Sequence, residues 1–569
     1  MTNTDYPPAP AIVDADRAEG SAATEQAPPW QCACDRPLDL GGPVDIPFEP
    51  FDDDAIEGSI VARFGEIAGR YPGRTAIDDG ETRLTYAEVW RIACHLARQV
   101  ERVVPAGRPV AVVLPNAALF PVAALACLAV GRPYVPIDLD YPVARNTEIL
   151  REAGAAAAIT QPGLAAAGAL IPASVPVIYA DVSGCLAVPD GPPLDIAEPG
   201  GPAVIVFTSG STGRPKGICN DQRALLVRIA QFINTCHLNA EDRLILVSSQ
   251  SVMAGVRNTL TALLTGATLR IAELRRHGIS GVQRVIRDER ITVYYSVPAV
   301  MRSVFRGTEA KVALASLRIV RLSGDTSFES DLALCRAVLP PTCHIFSSFG
   351  STEAPTIFQW FPRPGMGDGL SLPSGYPIPG LAFALVGADG SAVAPGEVGE
   401  LVLRSRHLAL GLWQDGRLVP GPFESDPVDP DVRMLHTGDL FRMNATGVAE
   451  FCGRSDRQMK IRGMRVDPGE IEAALRRCHG VADAAVIVRQ QNSMDGVLVG
   501  FVVPQPEAAQ LEGRHLRQQV STWLPPAKCP AVIHVIAEIP RLPSFKAEQA
   551  ALARFDLAWL GSNEDGGDR

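Results

Sequence analysis

From about residue 55 to 200, and again beyond 217, stretches with helical periodicity alternate with short apolar runs. That alternation limits what the chain can fold into more than any other feature. Ile60–Arg70 and Tyr86–Val100 repeat apolar residues at three- and four-residue spacing and predict helices. Among them stand runs too short for helices: Pro109–Leu114 (PVAVVL), Ala155–Thr160, Val175–Ala180 (VPVIYA), Arg243–Val247, Thr268–Ile271, Thr292–Tyr295 and Arg318–Leu322. Strands that alternate with helices are joined by crossovers, which makes the sheet parallel and the class α/β. Past about 380 the pattern changes to short strands with glycine turns, Leu381–Val386, Gly399–Leu403 and Gly447–Cys452, as in an antiparallel β subdomain. From about 457 a smaller unit follows, with helices over Pro468–Arg477 and Leu511–Trp523 and strands over Ala484–Val488 and Gly496–Val503. A chain of 569 residues exceeds one hydrophobic core. The expected division is a disordered extension over 1–50, a large domain over 51–455, a small one over 456–560 and an acidic tail over 561–569. Within the extension, Trp30 and the Pro-rich run to Phe51 are expected on the large domain's surface.

The charge balance excludes several classes of partner. A net charge of −11 argues against nucleic acid or an anionic membrane surface. The start, MTNTDYPPAPAIVDADRAEG, lacks a basic region followed by an apolar segment, so no secretory signal is expected. Leu119–Val130 (LFPVAALACLAV) reaches only about two-thirds of the roughly 18 residues that suggest a membrane span, and predicts a buried helix instead. The 12 cysteines are scattered, with no CxxC pair; Cys32-Ala33-Cys34 is the nearest approach. That argues against zinc and for a reducing cytoplasm.

The apolar run Ala203–Phe207 feeds the stretch TSGSTGRPKG, Thr208 to Gly217. Glycines let backbone N–H groups approach phosphate oxygens, hydroxyls donate hydrogen bonds, and a lysine supplies charge. The loop therefore reads as a polyphosphate grip. It is not a Walker loop, because Lys216 is followed by glycine and not by Ser or Thr.

TSGSTGRPKG resembles the signature loop of the adenylate-forming superfamily: acyl-CoA synthetases, luciferases and adenylation domains of nonribosomal peptide synthetases. Seven further segments match in the family's order: LTYAEV (84–89), GRPYVPIDLDYP (131–142), FGSTEAP (349–355), GELVLRS (399–405), HTGDL (436–440), GRSDRQMKIRGMRVDPGEIE (453–472) and PSFK (543–546). The resemblance covers roughly residues 55 to 555. It implies a large N-terminal domain of two α/β sheet subdomains plus a small β-barrel-like subdomain, and a smaller mobile α+β C-terminal domain. The chemistry it implies is capping of a carboxylate by ATP, with Mg²⁺, as an acyl-adenylate, followed by attack of a thiol. On this resemblance Thr208, Ser209, Gly210, Ser211, Thr212, Gly213 and Lys216 surround the β- and γ-phosphates. Glu353 holds Mg²⁺, Thr352 lies by the α-phosphate, Gly350 belongs to the same nucleotide-binding segment, and Phe349 stacks on adenine beside Gly324 and Asp325. Asp439 accepts the ribose hydroxyls with Arg454 nearby, Asp456 is the hinge, and Lys546 clamps the attacking carboxylate. Taken singly, Asp439 reads equally as a turn residue, Glu353 as a helix cap and Lys546 as a surface cation. In the family Asn-Gly usually precedes that lysine; here Ser544-Phe545 does.

The chain departs from the family in the acyl pocket. The Asp that binds the α-ammonium of an amino acid falls on Met253, and no Asp or Glu occurs between Asp242 and Glu273. A buried ammonium there would lack its counter-ion, so an ordinary α-amino acid bound in the usual way is not expected. The same correspondence places Ala254, Arg257, Tyr295, Arg321, Ser323, Ser348, Thr356 and Ile357 around the pocket. Two buried cations need partners: an anionic or strongly polar substrate group, or else solvent for Arg257 and an internal carboxylate for Arg321. Gln222 stands near the family's usual histidine. Only 23 residues follow Lys546, none forming a phosphopantetheine site, so the expected acceptor is a separate carrier protein. The alternatives are free CoA and, more remotely, a non-catalytic nucleotide-binding homologue.

Overall fold

The helices predicted over Ile60–Arg70, Tyr86–Val100 and Leu119–Val130 bury their apolar faces in one core shared with two sheets. The structure, a computed structural model, describes residues 13–14, 30–32, 36–187, 197–209, 215–363, 371–455, 459–461, 464–466, 468–492, 495–506, 511–522, 524, 528–542 and 546–564. Ile60–Arg70 is helical, with Ser59 Oγ accepting from the N–H groups of Val61 and Ala62. Tyr86–Val103 opens on a capping box in which Thr85 and Glu88 satisfy each other's backbone N–H groups. Leu119–Ala129 is apolar all round and buried, as the LFPVAALACLA run predicts. Among the described residues no helix is long and apolar enough to cross a membrane.

One sheet runs in the spatial order Arg417–Val419, Gly411–Gln414, Pro215–Asp221, Pro202–Ser209, Tyr134–Ile137, Val110–Val113, Ala157–Thr160 and Val177–Tyr179. It is parallel from Pro202–Ser209 onward. The second runs Tyr376–Pro377, Thr356–Trp360, His344–Gly350, Ile319–Leu322, Val293–Ser296, Arg243–Leu246, Thr268–Ile271, Thr75–Asp78 and Arg83–Thr85. Its members from His344–Gly350 to Thr75–Asp78 are parallel. A single core joins Val112 and Val206 of the first sheet to Leu244 and Leu269 of the second through Leu225, Ile229 and Leu263 of the intervening helices. The antiparallel subdomain follows as expected, built on Ala382–Val386, Gly399–Ser405, Arg433–Met443 and Ala449–Arg454, with its own core of Phe383, Leu401 and Phe441.

The smaller C-terminal domain pairs Val481–Asn492 with Asp495–Pro504 and packs the helix Pro468–Arg477 on them. Two expectations about the ends are corrected. Part of the extension over 1–50 is packed: Trp30 is buried against Ala384, Val386 and Val402, and Gln31 pairs with Phe383 at a sheet edge. Phe48 stacks on His237 at 4.0 Å, and Asp39 Oδ2 lies 2.9 Å from His237 Nε2. These aromatic side chains bury apolar area that the surrounding Pro-rich composition conceals. The expected tail likewise begins inside a helix, Gln549–Glu564.

Candidate active site

The two ends of the TSGSTGRPKG stretch belong to paired strands. Pro215–Asp221, which the sequence did not show as a strand, runs back antiparallel to Pro202–Ser209 and sets Lys216 opposite Thr208. Thr208 Oγ1 donates to the Lys216 carbonyl at 3.4 Å. Gly217 is required there: an added Cβ would lie 3.0 Å from Ile205 Cγ2, Phe207 Cζ and the Trp413 carbonyl. Gly210, Ser211, Thr212, Gly213, the Ser209 side chain and the expected hinge Asp456 lie outside the described residues. Asp221 ends the returning strand by capping the helix Gln222–Cys236, accepting from Ala224 N at 2.7 Å. Gln222, in the place of the family's histidine, accepts from Ile60 N at 2.9 Å and so ties two helices together.

Arg228, on that same helix, holds the FGSTE segment. Its Nη1 donates to the carbonyls of Ser351 and Ala354, both at 2.7 Å, and its Nη2 to the Thr352 carbonyl at 3.0 Å and Asn220 Oδ1 at 3.2 Å. Asn220 Nδ2 reaches the same Thr352 carbonyl at 3.2 Å. Three carbonyls turned onto one buried guanidinium fix the loop that carries Thr352 and Glu353. Gly350 allows the bend, since a Cβ would meet the Pro355 carbonyl at 2.7 Å. Sequence reasoning missed Arg228: a charge in helical context reads as a solvated face, and only the loop folded over it shows otherwise. Glu353 is not a helix cap here; its carbonyl accepts from Ala409 N at 2.8 Å.

On the antiparallel subdomain Asp439 pairs in register with Arg454, and Arg454 Nη1 meets Asp439 Oδ1 at 2.8 Å. Burial nonetheless raises the Asp439 pKa to about 6, with Arg454 and Lys546 opposing and Glu353 adding to the rise. Two expected site residues from distant segments, Glu353 and Lys546, therefore lie close enough to act on the charge of Asp439. Lys546 is exposed, its carbonyl accepting from Leu542 N at 2.8 Å. Phe349 sets its ring edge-on to Phe441 at 4.9 Å. Gly324 takes φ +89° at the end of its strand, and the exposed Asp325 follows it.

The expected acyl-pocket residues also converge. Arg321 Nε donates to Ser348 Oγ at 3.0 Å and Nη2 to Thr356 Oγ1 at 3.2 Å. The Arg257 guanidinium lies 4.6 Å from the Tyr295 ring centre. Met253 and Ala254 open the helix Met253–Thr265, and Ser323 and Ile357 are buried. Arg321 bonds to hydroxyls and, among the described residues, not to an internal carboxylate, while Arg257 is half-buried and keeps some access to solvent.

The AMP-binding enzyme family matches residues 64–413, and its C-terminal domain matches 470–546. The chain belongs to the AMP-binding enzymes. Enterobactin synthase component F of Escherichia coli is 30% identical over 87% of this chain. Phosphinothricin tripeptide synthetase PhsC of Streptomyces viridochromogenes is 32% identical over 86%. The chain spans 39% and 44% of those two proteins' lengths. The anthranilate CoA ligase AuaEII, solved with anthranoyl-AMP, shares the fold of this AMP-binding enzyme at TM-score 0.76 and 20% identity, covering 88% of this chain and 97% of that one. NpsA of Klebsiella oxytoca does so at TM-score 0.74 and 21% identity, covering 88% and 99%. Among the described residues no three metal-ligating side chains gather. Glu353 as a lone carboxylate fits Mg²⁺, which takes one or two carboxylates and completes its shell with phosphate and water.

Proposed function

We propose that this AMP-binding enzyme condenses a carboxylic acid with ATP to acyl-AMP, releasing pyrophosphate, and passes the acyl group to the phosphopantetheine thiol of a carrier protein. The placing of Glu353 and Lys546 near enough to Asp439 to act on its charge supports this reading best. In it, the substrate carboxylate attacks the α-phosphorus and pyrophosphate leaves. Lys546 neutralises the two anions as they approach. Thr208, Lys216 and the loop between them hold the β- and γ-phosphates, while Asp439 takes the ribose hydroxyls as paired acceptors. Mg²⁺ at Glu353 would screen phosphate charge. Phe349, Gly324 and Asp325 border the adenine, and residues 51–455 and 456–560 rotate about Asp456 between half-reactions. The similarity to peptide synthetases favours a carrier protein as acceptor, and the fold shared with CoA ligases keeps free CoA as the second reading.

ATP–pyrophosphate exchange across a panel of acids tests the first step. Lys216→Ala and Glu353→Gln should each slow exchange by about 100-fold or more, in line with losing a charge that acts on the transition state. Unchanged exchange in both variants would refute the assignment.

A further inference from the structure

Arg321 is 1% exposed, on the strand Ile319–Leu322, with Tyr295 its register partner on the next strand. Two of its nitrogens meet neutral hydroxyls, and Nη1 has no hydrogen-bond partner among the described residues. Arg257 spends both Nε and Nη2 on a single oxygen, Asn258 Oδ1, at 3.3 Å each. The two guanidiniums lie against the same pair of rings. Arg257 is 4.6 Å from the Tyr295 centre and 5.9 Å from Phe232; Arg321 is 4.6 Å from Phe232 and 5.9 Å from Tyr295. Burial, with Arg257 and Arg228 adding like charge, depresses the Arg321 pKa well below its usual range. Ring faces offset only a small share of such a cost; a buried cation ordinarily has an anion.

The position of Arg321 limits which anion can reach it. Arg321 lies inside the strand Ile319–Leu322, three residues before Gly324, the position past the strand's end where the nucleotide is assigned. An anion at Arg321 therefore belongs to the far end of a small acid, not to ATP. Met253, where an amino acid would need a counter-ion, is a buried thioether.

We propose that the acid activated here carries a second anionic group, a carboxylate or other oxyanion, which takes one N–H from Arg321 Nη1 and one from Arg257 at the closed end of the acyl pocket. This rests on the adenylation reading above. Arg257 turns from Asn258 to admit the group, since its two long bonds to one oxygen hold it weakly.

The test is ATP–pyrophosphate exchange with the dicarboxylates from malonate to adipate, the benzenedicarboxylates and sulfobenzoates, each against its half-amide or sulfonamide. For at least one diacid, wild-type kcat/KM should exceed that of the uncharged isostere by about 30-fold or more, and the carboxylate and sulfonate arms identify the oxyanion. Arg321→Met and Arg257→Gln should erase most of that preference, lowering kcat/KM for the diacid about 10-fold or more beyond any loss for its uncharged isostere. If Arg321→Met fails to fold, Arg257→Gln, at a half-buried helix position, carries the comparison. Monoacids or α-amino acids without a second anion that exchange as fast as any diacid would overturn the inference and leave adenylation standing. No exchange with any acid, while ATP still raises the melting temperature, would sink the adenylation reading and this inference together.

Discussion

At Asp439 burial and an ion pair pull in opposite directions, and burial wins: the pKa rises to about 6 despite Arg454 at 2.8 Å. A carboxylate that is to accept two ribose hydroxyls must be ionised, so nucleotide affinity should fall as pH drops through about 6. For stability the sign is reversed. The folded pKa is raised, so the stability this group contributes is full below the ordinary aspartate value near 4 and is lost as pH climbs to about 6. Asp439→Asn should therefore melt no lower than wild type at pH 8, yet bind ATP about 10-fold or more weakly and lose the acid limb of the affinity profile. Calorimetry and thermal melts across pH 5 to 8 check both. A variant that loses melting temperature and affinity together at pH 8 would show that Asp439 acts through the fold.

Most elements were legible in the sequence, because period and caps are local. Ile60–Arg70 and Thr268–Ile271 stand at the residues that periodicity and β-branching indicate. The returning strand Pro215–Asp221 was not legible, since Pro-Lys-Gly signals a turn and only pairing with Pro202–Ser209 makes it a strand. The family motifs singled out Glu353 and Asp439 as candidates, whereas Arg228 acts only through carbonyls more than a hundred residues away. Glycines divide the same way. In the helix Met253–Thr265 an added Cβ at Gly255 would lie 2.0 Å from the Ser249 carbonyl, so this helix seats on the SSQSVM turn only without a side chain. Gly69, in the helix Ile60–Arg70, meets nothing within 4 Å. Gly255→Ala should destabilise by roughly 2–4 kcal/mol and loosen the pocket wall; Gly69→Ala should stabilise by about 0.5–1 kcal/mol. Urea denaturation of the two variants measures the contrast, and equal effects would contradict the packing described.

Across the molecule, Asp483 joins the two domains. Arg302, on the large domain, bonds Asp331 through Nη1 at 2.9 Å and places Nη2 3.8 Å from Asp483 Oδ1. Arg476 Nε reaches the same carboxylate at 3.1 Å, and Arg541 bonds its other oxygen. Alongside, Arg306 donates to the Ala482 carbonyl at 3.1 Å, and Arg476 lies over the Phe328 ring at 4.8 Å. Burial alone would raise the Asp483 pKa, but Arg476, Arg302 and Arg541 together hold it below the usual value. A depressed folded pKa contributes stability that is full above the ordinary aspartate value and is lost only as pH falls through the lower folded one, so this joint stays charged from pH 5 to 8. The orientation it holds is the one in which Lys546 is felt at Asp439. On the proposed reading the small domain turns for thioester formation, which assigns this contact to the acyl-AMP step. Asp483→Asn leaves buried arginines short of their anion, and a broken buried pair costs about 3–5 kcal/mol. Acyl-AMP formation should slow by about 10-fold or more, while thioester formation from supplied acyl-AMP stays within about 3-fold. Lys546→Ala should share that split, but only Asp483→Asn should also shift the distance between fluorophores placed on the two domains. Equal losses in both half-reactions would point to misfolding. An unchanged adenylation rate would show that the four-residue joint does not hold the productive orientation.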